Sequence, residues 1–391
     1  MDFQRNRGSL CDLARLQTLV EQSGLDAVLA SSPENVTYST GLYDPGFNTM
    51  RNRLHVAVWP ADGEPVFVVP EYRLGADTLI GDTRGYDFYV RDEVIEDQMG
   101  RARIHRWPVD VLVEVLRERG LLGGRIGIEK DTFPTGAYEA LRKEVPETQF
   151  VDCHSLFDEA RMVKTAAEIE LLQEAGTITE KAIQFAFELA RPGAKARRVA
   201  EEIGCLLTRL GADQVAFVQL DVLRGGRRLS FDRDSVTLRE GDWLRVDAGG
   251  YFSGYYSDVA RMAVVDSPGE EPLSIYQRLL RVQKTIVQAI LRPGAVGSEL
   301  FHETREAFGE EGFDTPWGMI VHGIGLHIHE RPWIREQENY RLLPGMVLCV
   351  EAISHGPADE MWHIEDLVLI TGDGARELTC HADTTEPFVI V

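Results

Sequence analysis

The sequence has no apolar run long enough to cross a bilayer, and its N-terminal stretch, MDFQRNRGSL, is too polar for a signal peptide. We therefore expect no membrane partner and a cytoplasmic location. Positive charge is also scarce, with 41 Lys and Arg against 63 Asp and Glu and a formal net charge of -22. Because proteins that bind nucleic acid normally present a basic face, this balance argues against a nucleic-acid partner.

Two further kinds of site have no support in the sequence. The five cysteines are odd in number and scattered, with no Cys-x-x-Cys pair, which argues against a disulfide framework and against a zinc ribbon. There is no Gly-x-Gly-x-x-Gly fingerprint and no phosphate loop, so nucleotide binding is not expected.

The length of 391 residues predicts two domains, which we place at 1–160 and 161–391. Helix-like and strand-like stretches alternate in the first domain, in the order LARLQTLVEQSG, DAVLAS, LHVAVWP, EPVFVVP, VDVLVEVLRERG and RIGIEK. This alternation predicts an α/β domain in which helices cover a mixed sheet.

The second domain opens with a predicted long helix. Thr165-Ala-Ala-Glu168 has the form of a capping box, and Arg191-Pro-Gly ends the helix. Its apolar face is predicted from residues spaced by three or four: Ile169, Leu172, Ala175, Ile178, Ala182 and Phe185. The pattern helix, Arg-Pro-Gly-Ala, helix occurs at Arg191 and again at Arg292, which predicts two related α/β halves with a site where they meet.

Strand-like segments in each half carry acidic residues. A turn between Phe252 and Ser253 would place Asp247 and Asp258 directly opposite each other, and a turn about Ala358 would do the same for Glu351 and Glu365. Like charges facing each other destabilise a hairpin, so the arrangement favours a cation between them. The alternative is that each acid is a solvated strand residue or half of a salt bridge.

A histidine-rich segment, Val321-His322-Gly-Ile-Gly-Leu-His327-Ile-His329, lies between these strands. Its glycines allow the backbone to turn closely around a ligand, although a histidine in such a place can also be purely structural. Oxygen-rich ligation with one imidazole suits a pair of Mn, Co, Fe or Zn ions. The chemistry that such a pair supports is metal-assisted hydrolysis.

The segments VDAGG, GYYSDVAR, HGIGLHIHERP, PGMVLCVEAIS and HIEDLVLIT resemble those of the pita-bread-fold metallopeptidases, the family of methionine aminopeptidase, aminopeptidase P, prolidase and creatinase. The N-terminal α/β domain and the Arg161-Met-Val-Lys164 junction resemble the longer prolidase and creatinase branch. The resemblance implies a creatinase/prolidase-like N-terminal domain, a C-terminal pseudo-symmetric pita-bread α+β domain and a homodimer.

The resemblance also assigns roles by position. It implies that Asp247 chelates one of two divalent metal ions, that Asp258 and Glu365 bridge both, and that His322 and Glu351 hold the other. A water that bridges the metals would be the nucleophile, with Glu351 shuttling its proton. His329 would contact the substrate carbonyl or the tetrahedral intermediate.

The chain departs from the prolidase pattern near the expected substrate. Ser230 and Gly318 stand where proline-directed peptidases carry histidines, Ala352 replaces a proline, and His363 replaces an arginine. Together with His327, residues Ser230 and His363 are candidates for substrate contacts. In the creatinase-like branch an arginine of the dimer partner can hold the substrate carboxylate, and Arg53 or Arg51 could do so here, unless their segment is only a charged surface loop.

Three functions remain open on the sequence. The first is a metal-dependent hydrolase of a dipeptide or short peptide, plausibly Xaa-Pro. The second is an enzyme on the same scaffold that acts on a small non-peptide such as a compatible solute, by C–N hydrolysis or elimination. The third is a non-catalytic binding protein, which predicts eroded ligands, and all five ligand positions are intact.

Overall fold

The computed structural model describes residues 10–47, 53–87, 107–229, 236–314, 321–356 and 359–391, and the backbone of residues 95–96, 102–103 and 230. Contacts divide the chain into two compact units, Met1–Arg161 and Met162–Val391. No helix in the described part of the chain combines the length and apolarity that a bilayer span requires.

The N-terminal unit is built on a six-stranded mixed sheet. Its strands are β1 (Ala27–Ala30), β2 (Val56–Pro60), β3 (Val66–Pro70), β4 (Asp82–Tyr86), β7 (Arg125–Ile128) and β8 (Gln149–Asp152), with β5 (Ile95–Glu96) and β6 (Ala102–Arg103) forming a separate pair. The strand order in the six-stranded sheet is β4-β3-β2-β1-β7-β8. Its helices are α1 (Leu13–Gln22), α2 (Pro33–Thr40), α3 (Pro108–Glu118), α4 (Thr135–Glu144) and α5 (His154–Met162), with 3-10 turns at Pro45–Phe47 and Glu71–Arg73.

The core of this unit lies between the sheet and α3, whose Val111, Leu112, Val115 and Leu116 are buried at helical spacing. Strands β1, β2, β3 and β7 are almost wholly buried, as their continuous apolar runs predict. The α/β domain expected from the sequence is therefore confirmed.

The C-terminal unit combines four α-helices of the described residues with one large sheet. The helices are α6 (Ala166–Leu189), α7 (Ala196–Leu210), α8 (Glu270–Thr285), which continues as a π-helical turn at Ile286–Ile290, and α9 (Gly297–Glu310). The strands are β9 (Gln214–Arg224), β10 (Arg227–Ser230), β11 (Trp243–Phe252), β12 (Tyr255–Tyr256), β13 (Val259–Val265), β14 (Val321–Gly323), β15 (Glu330–Trp333), β16 (Val347–His355), β17 (Met361–Ile370), β18 (Ala375–Glu377) and β19 (Phe388–Ile390).

These eleven strands form one sheet of order β10-β9-β11-β13-β17-β16-β14-β15. Strand β12 is added to β11, β18 to β17 and β19 to β13. The core packs against one face of the sheet and includes the buried rings of Trp243, Tyr276 and Trp362. This is the α+β arrangement expected for the pita-bread fold.

Helix α6 begins as predicted, because Thr165 and Glu168 form a reciprocal capping box. Its predicted apolar face is correct at Leu172, Ala175 and Ala182, which are buried. The prediction is wrong at Phe185, which is exposed, because Ala186 and Phe187 face the core instead. Because α6 is apolar around much of its circumference, tertiary packing determines which of its apolar residues are buried.

The predicted internal repeat is present, because each Arg-Pro-Gly-Ala segment lies between two helices and pairs with an equivalent segment later in the chain. The backbone bonds from Gly193 N to Leu238 O and from Leu238 N to Ala194 O in the first half match those from Gly294 N to Leu342 O and from Leu342 N to Ala295 O in the second. Strand β11 follows the first of these pairings and β16 the second, so the two strands are pseudo-symmetric equivalents.

Candidate metal centre

A row of residues in register crosses five neighbouring strands of the large sheet, and three of these residues are acidic. Glu351 of β16 pairs with Glu365 of β17, Glu365 with Ala260 of β13, and Ala260 with Asp247 of β11. Gln219 of β9 pairs in turn with Asp247. Residues in register on neighbouring strands point to the same face, so one side of the sheet carries the candidate ligands.

The predicted pairing of Glu351 with Glu365 is confirmed. The predicted pairing of Asp247 with Asp258 is wrong, because Asp247 lies opposite Ala260. The turn is formed by Ser253 and Gly254, which both have positive φ, rather than centred between Phe252 and Ser253. A two-residue hairpin turn needs this left-handed geometry, and it shifts the register so that Asp258 lies diagonal to Asp247.

Gly249 explains how Asp258 comes close to the row. A Cβ at Gly249 would overlap the carbonyl oxygen of Ser257, so β11 and the segment before β13 can approach each other only because this residue is glycine. Ser257 is fixed there by its hydroxyl, which accepts from Gly250 N at 2.9 Å. The side chain of Asp258 is thereby held, almost fully buried, beside the ligands of the row.

His322 reaches the site from β14, which pairs with β16 through His322 and Cys349. Its Nδ1 lies 3.0 Å from the carbonyl oxygen of Gly323, and since a carbonyl only accepts, Nδ1 carries the proton. Nε2 therefore presents a lone pair, 3.1 Å from Glu351 Oε1 and 3.9 Å from Glu365 Oε1. A lone pair aimed at carboxylate oxygens is repelled by them unless a proton or a metal ion lies between the groups.

Burial changes the proton affinity of the acidic residues. It raises the pKa of Asp258 and of Glu365 well above the usual range, and the neighbouring carboxylates add to the effect. Burial also raises the pKa of Asp247, which His363 and Arg245 partly oppose. Burial acts in the same sense on Glu351, but contacts with His322 and His363 bring its pKa below the usual value.

The residues fit a metal centre. Asp247 Oδ1, His322 Nε2 and Glu365 Oε1 are buried side-chain atoms that have no hydrogen-bond partner among the described residues. Ligand atoms of Asp258, His322, Cys349 and Glu365 lie within 4.8 Å of one another. Buried polar atoms without partners are rare in folded proteins, and a divalent cation would satisfy these.

The four acidic candidate ligands, Asp247, Asp258, Glu351 and Glu365, line a cavity of about 650 Å³. Its walls include the apolar side chains of Phe217, Ile328, Ile353 and Met361, and its polar lining includes His329 and Arg335. Burial and the neighbouring His322 lower the pKa of His329 to about 4, so this imidazole is neutral near pH 7. The volume suits a small molecule.

The other predicted substrate residues are placed unevenly. His363 is buried beside Glu351, whereas His327 is exposed, with its Nδ1 2.8 Å from the carbonyl oxygen of His329. Ser230 ends β10, and its side chain lies outside the described residues, as do Arg51 and Gly318. Arg53 belongs to the N-terminal unit, where Nη1 donates to the hydroxyl of Tyr72 at 2.9 Å.

Three side chains of this region were not predicted from the sequence. Arg245 and Cys349 each lie two residues before a candidate ligand on the same strand, and strand parity could have identified both. Arg335 is stacked over Trp333 at 4.2 Å and lines the cavity. No periodicity in the sequence indicates Arg335, because it follows the end of β15.

Comparisons with known proteins agree with this geometry. Residues 170–372 match the model of metallopeptidase family M24, and residues 13–163 match that of the Creatinase/Prolidase N-terminal domain. The chain is 28% identical over 372 residues to the Xaa-Pro dipeptidase of Pyrococcus furiosus, covering 94% of this chain and 97% of that one.

A second relative, the Xaa-Pro dipeptidase of Pyrococcus horikoshii, is 31% identical over 258 residues, covering 65% of this chain and 72% of that one. The solved structure of the prolidase from Pyrococcus furiosus superposes with a TM-score of 0.76 at 27% identity, covering 94% of this chain and 100% of that chain. The chain therefore belongs to metallopeptidase family M24, with the pita-bread fold and an N-terminal creatinase/prolidase domain.

Proposed function

We propose that the protein is a metal-dependent dipeptidase that cleaves Xaa-Pro substrates. The observation that carries the proposal is that Asp247, Asp258, Glu351 and Glu365 line one cavity with His329 and Arg335, while His322 lies beside Glu351 and Glu365. Relatives named Xaa-Pro dipeptidase support the substrate class.

We assign the ligands by position and environment. Asp247 would hold one ion and His322 with Glu351 the other, while Asp258 and Glu365, the most deeply buried acids of the cluster, would contact both. Divalent ions bound there supply Lewis acidity and make a hydrolytic water acidic near neutral pH. Manganese is a suitable candidate, because most of the donors are carboxylate oxygens.

Two residues of the chain act on the reacting groups. Glu351 lies between His322 and His363 and remains ionised, so it can take a proton from the attacking water and pass it to the leaving amine. His329 is perpendicular to the ring of His322, with centroids 4.6 Å apart, and faces the cavity as a neutral imidazole. It can donate to the carbonyl oxygen as negative charge develops there.

The cavity also suits a short substrate with a free C-terminus. Phe217, Ile353 and Met361 provide apolar surface for a proline ring, and Arg335 is a guanidinium within the same cavity that can pair with a carboxylate. Arg53 from a dimer partner is the alternative carboxylate receptor implied by the family resemblance. Ser230 and His327 stay predicted substrate contacts.

We also propose an assembly and a location for the protein. We propose a homodimer because the resemblance to the creatinase-like branch implies one. We propose the cytoplasm because the five cysteines are all free, which is usual in a reducing compartment.

The test is metal analysis of the purified protein, coupled to a substrate panel. We expect two transition-metal ions per chain, hydrolysis of Xaa-Pro dipeptides, and loss of activity on treatment with a chelator. Activity that is indifferent to chelator would contradict the metal-dependent mechanism. Turnover of small osmolytes without cleavage of any dipeptide would instead support the compatible-solute enzyme.

A further inference from the structure

A second row of side chains runs beside the metal row on the same face of the sheet. Arg245 precedes Asp247 by two positions on β11 and pairs with Asp221 of β9, and His363 precedes Glu365 by two positions on β17. Side chains two apart on a strand share a face. Arg245 and His363 are therefore the next layer behind the candidate ligands, and both are at most 2% exposed.

The guanidinium of Arg245 contacts four groups in this layer. Nη1 lies 3.4 Å from Asp247 Oδ2 and 3.3 Å from His363 Nδ1, Nη2 donates to Gln219 Oε1 at 2.9 Å, and Nε lies 3.2 Å from Asp221 Oδ2. An arginine keeps its charge in proteins and can only donate. Each of its partners must therefore accept.

This requirement fixes the proton on His363. Since Nδ1 accepts from Arg245, the ring proton sits on Nε2, which lies 3.3 Å from Glu351 Oε2 and 3.6 Å from Glu365 Oε2. His322 has the opposite tautomer, with its lone pair on Nε2. Two imidazoles thus flank Glu351. Nε2 of His322 presents a lone pair, whereas Nε2–H of His363 faces Glu351 Oε2 at 3.3 Å without forming a hydrogen bond among the described residues.

The same contacts determine which carboxylate oxygens remain for a metal. Asp247 turns Oδ2 toward Arg245 and leaves Oδ1 buried with no partner in the described part of the chain. Glu351 turns Oε2 toward His363 and Oε1 toward His322. Partners on the outer oxygens orient a ligand and tune its basicity.

We propose that Arg245 and His363 form a positioning pair, in which Arg245 sets the Nε2–H tautomer of His363 and the two side chains orient Asp247 and Glu351 for metal binding. His363 is then neither a metal ligand nor a substrate contact. The proposal rests on the metal centre of the proposed function, but not on the identity of the substrate.

Two variants of His363 distinguish a positioning residue from a metal ligand and from a residue that only lines the cavity. Loss of a partner behind a ligand typically weakens metal affinity by about 10- to 100-fold without removing the ion. We expect His363→Leu still to bind two Co²⁺ per chain, but to bind one of them about 10- to 100-fold more weakly than the wild type does. The affinity is measured by competition with a chromophoric chelator. His363→Gln keeps a donor toward Glu351, so its affinity should stay within a few-fold of the wild type.

The contrary results are distinct. If both variants bind one Co²⁺ fewer at saturation, His363 is itself a ligand; if neither changes affinity, it is a wall residue. Either result overturns the proposal. Absence of Co²⁺ binding by the wild type would overturn both this proposal and the proposed function.

The tautomer of His363 can be measured directly, in an experiment that requires neither bound metal nor enzymatic activity. In metal-free protein with 15N-labelled histidine, the ring signals absent from His363→Gln should show an unprotonated Nδ1 and a protonated Nε2. Arg245→Lys, which retains a cationic donor, should preserve this pattern, and Arg245→Met should lose it. A protonated Nδ1 in the wild type would overturn the proposal.

Arg224 offers a matched control for the folding cost of removing a guanidinium. It pairs with Asp242, through Nε at 2.7 Å and Nη2 at 2.6 Å, away from the metal row. We expect Arg224→Met to lower stability while leaving Co²⁺ affinity and the His363 tautomer unchanged, whereas Arg245→Met changes all three. If the wild type shows the expected affinity and tautomer yet hydrolyses no dipeptide, only the proposed substrate is wrong.

Discussion

Glu351 and Glu365 lie directly opposite each other on β16 and β17, at a point where one is almost fully buried and the other is only slightly exposed. Two carboxylates in this relationship repel each other unless a cation lies between them. His322 points the lone pair of its Nε2 at the same place. The register of the sheet therefore brings together groups that repel one another, and a metal ion between them would relieve that repulsion.

Removing one shared ligand should abolish both metal uptake and turnover. We expect Asp258→Ala to lose bound metal, measured by elemental analysis after gel filtration, and to lose dipeptide hydrolysis. The control is Glu240→Gln, which removes an exposed carboxylate just before β11 and should retain both. Turnover retained by Asp258→Ala would remove this residue from the ligand set.

A methyl group at Gly249 should disturb the site through the backbone. Its Cβ would overlap Ser257 O, so Gly249→Ala should displace the segment that carries Asp258, lowering both metal affinity and the free energy of unfolding. The control is Gly204→Ala in α7, where the added Cβ meets Val215 at an ordinary 3.7 Å. Helix propensity then predicts a gain of up to about 1 kcal/mol. Unchanged metal affinity in Gly249→Ala would refute the close-approach argument.

Arg261 should be needed for stability rather than for chemistry. It is buried, donates to Glu365 O at 2.6 Å, and pairs with Asp366 at 2.7 Å and with Glu180. Arg261→Met strands two buried carboxylates, which should cost about 3–5 kcal/mol in urea unfolding.

The ion pair of Arg281 with Glu311 is an exposed counterpart of the buried Arg261 pairs, because the Arg281 side chain is 58% exposed. Arg281→Met should cost only about 0–1 kcal/mol. Equal losses in the two variants would show that burial does not set the contribution of Arg261.

His55 should make the N-terminal unit sensitive to acid. Burial lowers its pKa from 6.5 to about 4, and its ring lies 4.7 Å from that of Phe47. Between these two values the unfolded chain binds a proton that the folded chain does not, so stability present above pH 6.5 is lost as the pH falls toward 4. The full loss is about 3 kcal/mol, from 1.36 kcal/mol per pKa unit.

The measurement is urea unfolding of the full chain at pH 7 and at pH 4.5. His55→Phe should lose less stability between these pH values than the wild type does, because its ring cannot take a proton. His154→Asn serves as the control, since it removes an imidazole that is 45% exposed from the same unit. An identical pH dependence in wild type and His55→Phe would contradict the assignment to His55.

Arg335 and Arg53 are rival receptors for the substrate carboxylate. If Arg335 in the cavity binds it, Arg335→Gln should raise KM for an Xaa-Pro dipeptide by about 10-fold or more, a loss of 1.4 kcal/mol or more, with little change for the corresponding prolinamide. Arg53→Gln should then leave both values unaltered. The reverse pattern would assign the role to Arg53.

The sequence by itself determined much of this protein. The alternation of apolar segments predicted the N-terminal sheet, and the capping box at Thr165 predicted the start of α6. The opposition of Glu351 and Glu365 was predicted from two apolar strand-like segments related by a single turn, and the register of β16 and β17 confirms it. Residue types at spaced positions thus indicated the candidate ligands, and the family resemblance assigned their roles.

Only the tertiary structure decided the register of the hairpin and the side-chain contacts between distant strands. The offset between Asp247 and Asp258 depends on positive φ at Ser253 and Gly254, which strand periodicity does not encode. The contact of Arg245 with His363 joins β11 to β17, far apart in the chain, and the choice of His363 proton depends on that contact. Local pattern fixes which face a side chain occupies, whereas partners across a sheet are set by register and packing, to which the whole chain contributes.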